Sequence, residues 1–225
     1  RALSAPDARF AMQQTLWLTL IAVVVNTVLG VAIALVLVRQ RFPGRRLLDA
    51  VIDLSLAVSP VMIGLAFLLV LGREGWFGPA LEALGGRVAF AFPGLVIATL
   101  FVTLPYTVRE VANVLVEVGE EEEQVASTLG ASAWRTFWKV TLPNIRRGVL
   151  LGITLTAARA LGEFGAVLVL GGAINRKTET ATTYIYGAIE ERQVAGAYGM
   201  ALLLGVVSML LLLAIERFKD RSPDA

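Results

Sequence analysis

Arg159 and Glu163 are the two charged residues that interrupt otherwise uncharged apolar sequence, and they stand four apart. On one helix that spacing stacks them on a single face, where they can pair. A lone charge at mid-membrane costs about 2.5–3.5 kcal/mol on insertion scales, so such a pair faces protein or a watery cavity. Two roles are open: Arg159 attracts or gates an anion in a central pathway, or the neutralised pair only fixes packing. Packing is preferred, because Glu163 cancels the attraction an anion would feel and a pathway must also release its ion. Gly162 and Gly165 beside Glu163 suit close helix approach. The neutral pathway candidates are Asn26, Ser59 before the helix-breaking Pro60, and Thr99 and Thr103, which with Thr107 form one hydroxyl stripe at i, i+4, i+8. Threonine also bonds its own helix backbone, which is the plainer reading. With no His and no Cys, imidazole and thiolate chemistry, the usual zinc sites and disulfides are excluded. No Gly-rich phosphate loop is present, so nucleotide chemistry of its own is not expected.

The elements that must position these residues are apolar. The 225 residues are 56% hydrophobic and 17% charged, with mean hydropathy +0.72, against roughly 45–50% apolar and 25% charged for a soluble domain. Five stretches stand out, at about 15–38, 54–71, 88–108, 148–172 and 194–215. Each approaches the roughly 20 residues that a helix needs to cross the hydrocarbon core, and none alternates charged and apolar faces as a soluble core helix would. They read as five membrane spans of a single transmembrane domain over 1–225. The polar arm 1–10 is neither a signal peptide nor a sixth span.

The net charge of +2 conceals an uneven distribution. The loops after the first and third stretches and the C-terminal tail hold 12 Lys and Arg, against 7 in the other connections. The positive-inside bias makes those three segments cytoplasmic, the C-terminus included. The loop 109–147 is the long one. Its composition predicts a helix over 109–129, a stop at Gly130, a restart capped by Ser132, a short amphipathic helix over 133–140 and an end at Pro143. Trp134, Phe137 and Trp138 in that short helix form either a docking knob for a soluble partner or an interfacial anchor on lipid. The acidic run 120–123 disfavours the lipid surface nearby.

Gln124-Val125-Ala126, then Gly130 and Ala131, then Val140-Thr141-Leu142-Pro143 resemble the EAA loop of ABC-importer permeases, with Gln124 in place of the family's Glu and Glu123 beside it. Further motifs agree: Phe42-Pro43-Gly44-Arg45, Ala57-Val58-Ser59-Pro60-Val61, Phe92-Pro93-Gly94 and the run Ala158-Arg159-Ala160-Leu161-Gly162-Glu163-Phe164-Gly165-Ala166-Val167. Together they resemble the sulfate and thiosulfate importer permeases, nearest to their W-type subunit, with molybdate and tungstate permeases as relatives. The segment after Gly172 departs from the family, because Thr178-Glu179-Thr180-Ala181 stands where relatives carry a Leu-Pro.

The resemblance implies an all-α, polytopic membrane protein of the type I ABC-importer permease fold in a bacterial or archaeal inner membrane. Five of six spans would be visible, a first one preceding Arg1. It implies that 109–147 couples to two ATP-binding cassette subunits, which would bind the ATP and Mg; this chain would bind no cofactor or metal. A second permease subunit, identical or not, an extracytoplasmic oxyanion-binding protein and the lipid bilayer complete the expected partners, with no nucleic acid among them. An ion-driven secondary transporter is disfavoured by its need for several intramembrane carboxylates. An intramembrane hydrolase is disfavoured because no Lys or Asp lies in any span.

Overall fold

The computed structural model describes residues 6–84 and 86–220, and among them every regular element is helical. Helix α1 (Pro6–Arg39) runs 34 residues, about 50 Å at 1.5 Å per residue. It starts nine residues before the expected span, because nothing in the polar arm after Pro6 breaks the helix and a proline at its start sacrifices no hydrogen bond. Asp7 in the first turn and Arg39 in the last match the helix dipole.

The second expected span is not one helix. Helix α2 (Arg45–Ala57) ends before Ser59, and α3 (Pro60–Leu71) starts on Pro60. Proline lacks the N–H that a continuous helix would need and pushes the residue before it out of the helical region. With 12 residues, α3 extends about 18 Å, too short by itself for a hydrocarbon core of about 30 Å. A short helix, α4 (Gly78–Ala83), follows.

Helix α5 (Phe92–Val118) absorbs both the third expected span and the first half of the long loop. Within it, the Arg109 guanidinium is paired with α2, 2.8 Å from Asp49 and 2.5 Å from Asp53. The break falls instead at Gly119, with φ 73°. Helix α6 (Glu121–Thr128) and α7 (Ala133–Thr136) lead through a π-helical turn, Phe137–Thr141, directly into α8 (Leu142–Leu161). Pro143 therefore does not end a helix. It sits in the first turn of α8, immediately after the widened turn, where its missing N–H is tolerated.

The fourth expected span is also divided. Helix α8 stops at Leu161, and α9 (Gly165–Gly171) leaves at 55° to it. Helix α10 (Ala181–Glu190) begins with a reciprocal Thr180–Thr183 capping box, and α11 (Val194–Asp220) is the last described helix. Among the described residues, α1, α5 and 194–215 are long and apolar enough to cross a membrane, as is the α8–α9 pair if taken as one bent span.

One core joins α1, α2, α5 and α8 around Val31, Leu37, Val108, Val111, Leu115 and Ile145. A second packs α3, α5 and α9 around Ile63, Val102 and Leu170. A third gathers Ala8 and Met12 of α1 with Ala181 of α10 and Met200 of α11. Helices α1 and α5 thus run parallel, α8 opposes them, and α11 starts at the end where α1 starts.

Candidate functional site

Three places in the bundle hold the residues that the sequence singles out. The first is the end reached by Arg39. Its side chain bonds the carbonyls of Leu115, at 3.2 Å, and Gly119, so it caps the terminal carbonyls of α5 as cations do at a helix C-terminus. The same guanidinium lies 3.2 Å from Glu123 Oε2 and 3.7 Å from Glu120 Oε1. Glu123 Oε1 accepts from Thr141 Oγ1 at 2.9 Å, and Glu122 accepts from Asn144 Nδ2 at 2.6 Å. One acidic helix is thereby tied to α1, α5, the π turn and α8. The sequence motif marks Glu123; Arg39, some 80 residues away, carries no local signal and was missed.

Helix α6 ends as its sequence requires. Gly130, at φ 82°, donates to Ser127 O, and Ala131 N–H reaches back to Ala126 O at 3.0 Å. This is a Schellman termination, with glycine at the left-handed position. An added Cβ there would meet nothing within 4 Å, so backbone conformation, not space, selects the glycine. Ser132 Oγ then accepts from Arg135 N–H and restarts the helix. Gln124 is exposed.

The aromatic residues divide. Trp134 and Trp138 are 71% and 49% exposed, with ring centroids 5.6 Å apart. Phe137 is half-buried and packs with Leu142 against the α1–α5–α8 core, so the expectation of three exposed rings is corrected to two; the π turn rotates Phe137 inward. Val125 and Leu129 are exposed on α6, which packs against α7 and the π turn, and add apolar surface to this segment, a contribution hidden in sequence because both look like ordinary helix residues.

The second place is the bundle interior. Asn26 Nδ2 bonds Thr103 Oγ1 at 2.7 Å and Leu100 O at 3.1 Å, and Thr107 shares a 3.0 Å bond with Thr156. Asn26, Thr99, Thr103 and Thr107 are all buried. A Cβ at Gly30 would stand 2.7 Å from Thr107 Cγ2, and one at Gly152 2.9 Å from Thr107 Cα. The hydroxyl stripe is therefore a close-packed seam between α1, α5 and α8, held by small residues and polar bonds. Ser59, at the α2–α3 break, is exposed.

The third place is the α8–α9 break. Glu163 lies beyond the end of α8 instead of within a continuous helix, yet its Oε2 still pairs with Arg159 Nη1 at 2.8 Å. Its Oε1 accepts the Ala166 N–H at 2.9 Å, and its carbonyl accepts from Thr182 Oγ1 at 2.7 Å. Glu163 is 3% exposed. It fixes the start of α9 and ties it to α10, while Arg159 neutralises it.

At the far end of the bundle, the divergent segment serves local structure. Thr178 bonds Gly171 O and the Ile174 N–H, Thr15 of α1 accepts the Ala181 N–H at 2.8 Å, and Gln14 donates to Lys177 O at 2.9 Å. Glu179 is pushed up to about 7 by burial, with Asp7 and Glu191 adding repulsion. Among the described residues no group of His, Cys, Asp or Glu could hold a metal ion.

Comparison with known proteins gives this geometry a context. The chain is 47% identical over 202 residues to the sulfate transport system permease protein CysW of Synechococcus elongatus, covering 90% of this chain and 71% of that one. It is 41% identical over 210 residues to CysW of Escherichia coli, covering 93% and 72%. Its fold matches a crystal structure of a bacterial ABC transporter that imports alginate, with TM-score 0.83 at 17% identity over 99% of this chain and 82% of that one. Residues 26–222 match the family described as binding-protein-dependent transport system inner membrane component. With most of its length inside that match, its helices and its relatives in agreement, the chain belongs to this family of multi-pass membrane transport components.

Proposed function

We propose that this chain is a permease subunit of an ATP-driven importer for sulfate. The observation that carries the substrate is its 47% identity with a sulfate permease over 90% of its length; the Arg159-Glu163 motif and the broken helices support the same reading. The Arg39 end faces the cytoplasm, in keeping with the basic loops, and the C-terminus lies on that side. The exposed patch of Val125, Leu129, Trp134 and Trp138 receives an ATP-binding cassette subunit. Two such subunits bind ATP and Mg, and this chain contributes neither a nucleotide nor a cofactor site. A second permease subunit encloses the pathway, and an extracytoplasmic binding protein delivers the ion at the Lys177 end.

The geometry suggests how movement is passed on. Force on α6 and the π turn is transmitted through Glu123 to Arg39 and so to α1 and α5. The Gly30–Thr107–Gly152 seam keeps α1, α5 and α8 moving together. The half-helices α3 and α9, packed on each other through Gly64 and Gly165, move as one unit that Glu163 ties to α10. Competition settles the substrate: in proteoliposomes holding the complete transporter, unlabelled sulfate should abolish uptake of radiolabelled sulfate. Equal molybdate or tungstate should leave most of it; stronger inhibition by molybdate would overturn the assignment.

A further inference from the structure

The end of the bundle opposite Arg39 carries a crevice that neither helix packing nor the coupling segment uses. It opens between the end of α3, α4 and the stretch 86–91, with a volume of about 350 Å³. Arg73, Arg87 and Lys177 line it, with a single carboxylate, Glu82. Glu82 is committed to Arg73 at 3.0 Å, and neither Arg87 nor Lys177 has an ion-pair partner among the described residues. Two unopposed positive charges therefore share one concavity, which focuses a field on anything small enough to enter.

The walls are held, not loose. Phe90 N–H bonds Leu170 O of α9 at 2.9 Å, and Gln14 of α1 holds the Lys177 carbonyl. Phe90 and, in the loop carrying Lys177, Ala173 and Arg176 adopt φ of 57°, 46° and 54°. Non-glycine residues in this left-handed region are uncommon, and such strain gathers where a ligand is held.

We propose that this crevice binds a tetrahedral oxyanion group, before and apart from any central pathway. The inference rests on the outward orientation stated above. Free sulfate and the phosphate of an anionic lipid headgroup share the required chemistry; the exposed Trp76, Phe77 and Leu84 beside the crevice place it where headgroups lie. A concave site of this size suits an ion or a headgroup better than an acidic protein surface.

Ala89 lines the crevice and the chain has no cysteine, so Ala89→Cys gives this chain one thiol. In the assembled transporter in phosphatidylcholine vesicles, an anionic methanethiosulfonate reagent added outside should label it at least about threefold faster than a cationic one. Sodium sulfate should slow labelling more than sodium chloride of equal ionic strength, and adding Arg87→Gln with Lys177→Gln should abolish both effects. Protection by sulfate in neutral vesicles supports the free ion; protection only when phosphatidylglycerol is added supports the headgroup. Equal labelling by the two reagents, protection that survives the double substitution, or protection by the binding protein alone would overturn the site. Labelling only from the other face would overturn the orientation, and with it the proposal, while sulfate uptake by the unaltered transporter would still stand.

Discussion

Arg39, the last residue of α1, holds Glu123 of α6 at 3.2 Å while its other nitrogens cap the carbonyls that end α5. One side chain thus joins α6, part of the proposed docking surface, to the two parallel helices of the core. Its substitution removes a half-buried charge pair and orphans two carbonyls, a loss of about 1–3 kcal/mol, too small to unfold the bundle but enough to free α6. Arg39→Gln should lower sulfate transported per ATP hydrolysed at least about tenfold, with the protein still inserted. Arg39→Lys, which keeps the charge but not the fork, should recover part of it. Unchanged transport per ATP, measured by paired uptake and phosphate-release assays, would refute the strut.

Trp134 and Trp138 form the exposed ring pair of the proposed docking surface. Large aromatic anchors at an interface centre contribute about 2 kcal/mol or more each, roughly a thirtyfold change in affinity. Trp134→Ala with Trp138→Ala should abolish capture of the ATPase subunit by detergent-solubilised permease. Phe137→Ala, by contrast, should lower the yield of folded protein, because that ring packs inward. Capture by the double tryptophan variant at the wild-type level would move the docking surface elsewhere.

Thr107 is wedged between Gly30 and Gly152, and a Cβ on either would fall under 3.0 Å from it. Overpacking of this kind costs about 1–3 kcal/mol. Gly152→Val should therefore reduce membrane accumulation severely, whereas Gly205→Val on α11, where nothing lies within 4 Å, should accumulate normally. Fluorescence-detected gel filtration of the two variants makes the comparison.

Removing Arg159 alone leaves Glu163 buried and uncompensated, a cost of about 3–5 kcal/mol in comparable pairs. Arg159→Met should prevent stable accumulation, and the double change Arg159→Met with Glu163→Gln should restore it, since glutamine still accepts from the Ala166 N–H. On the packing reading, sulfate uptake should return with the protein. A double variant that accumulates but does not transport would place Arg159 in the pathway.

Glu179, with its carboxyl raised to about 7 in the folded protein, holds its proton in the native state over a range where the unfolded chain has lost it. Its contribution favours folding fully below the ordinary carboxylate range and is lost as pH rises through about 7. The thermal midpoint of the detergent-solubilised protein should fall between pH 5 and 7.5. Glu179→Gln should flatten that slope. An identical slope in the variant would assign the dependence to other groups.

Composition and charge placement alone determined a helical membrane protein, where its basic loops fall and its acidic and aromatic loop motif, because these follow from local hydropathy and from residue types close together in the chain. Gly130 and Ser132 were readable as stop and restart for the same reason: each acts through its own backbone neighbours. The tertiary structure decided what depends on distant partners. Arg109 is paired with Asp49 and Asp53 of α2, some 56 to 60 residues away, where the span and the expected loop helix run on as one helix. The π turn turns Phe137 inward and makes Pro143 the start of a helix. The threonine stripe became a packed seam once Asn26, Gly30, Thr156 and Gly152 met it from other helices. Arg39 acquired its role, and the crevice its charge, only when residues far apart in sequence were brought within a few ångströms; periodicity along the chain carries no record of such encounters.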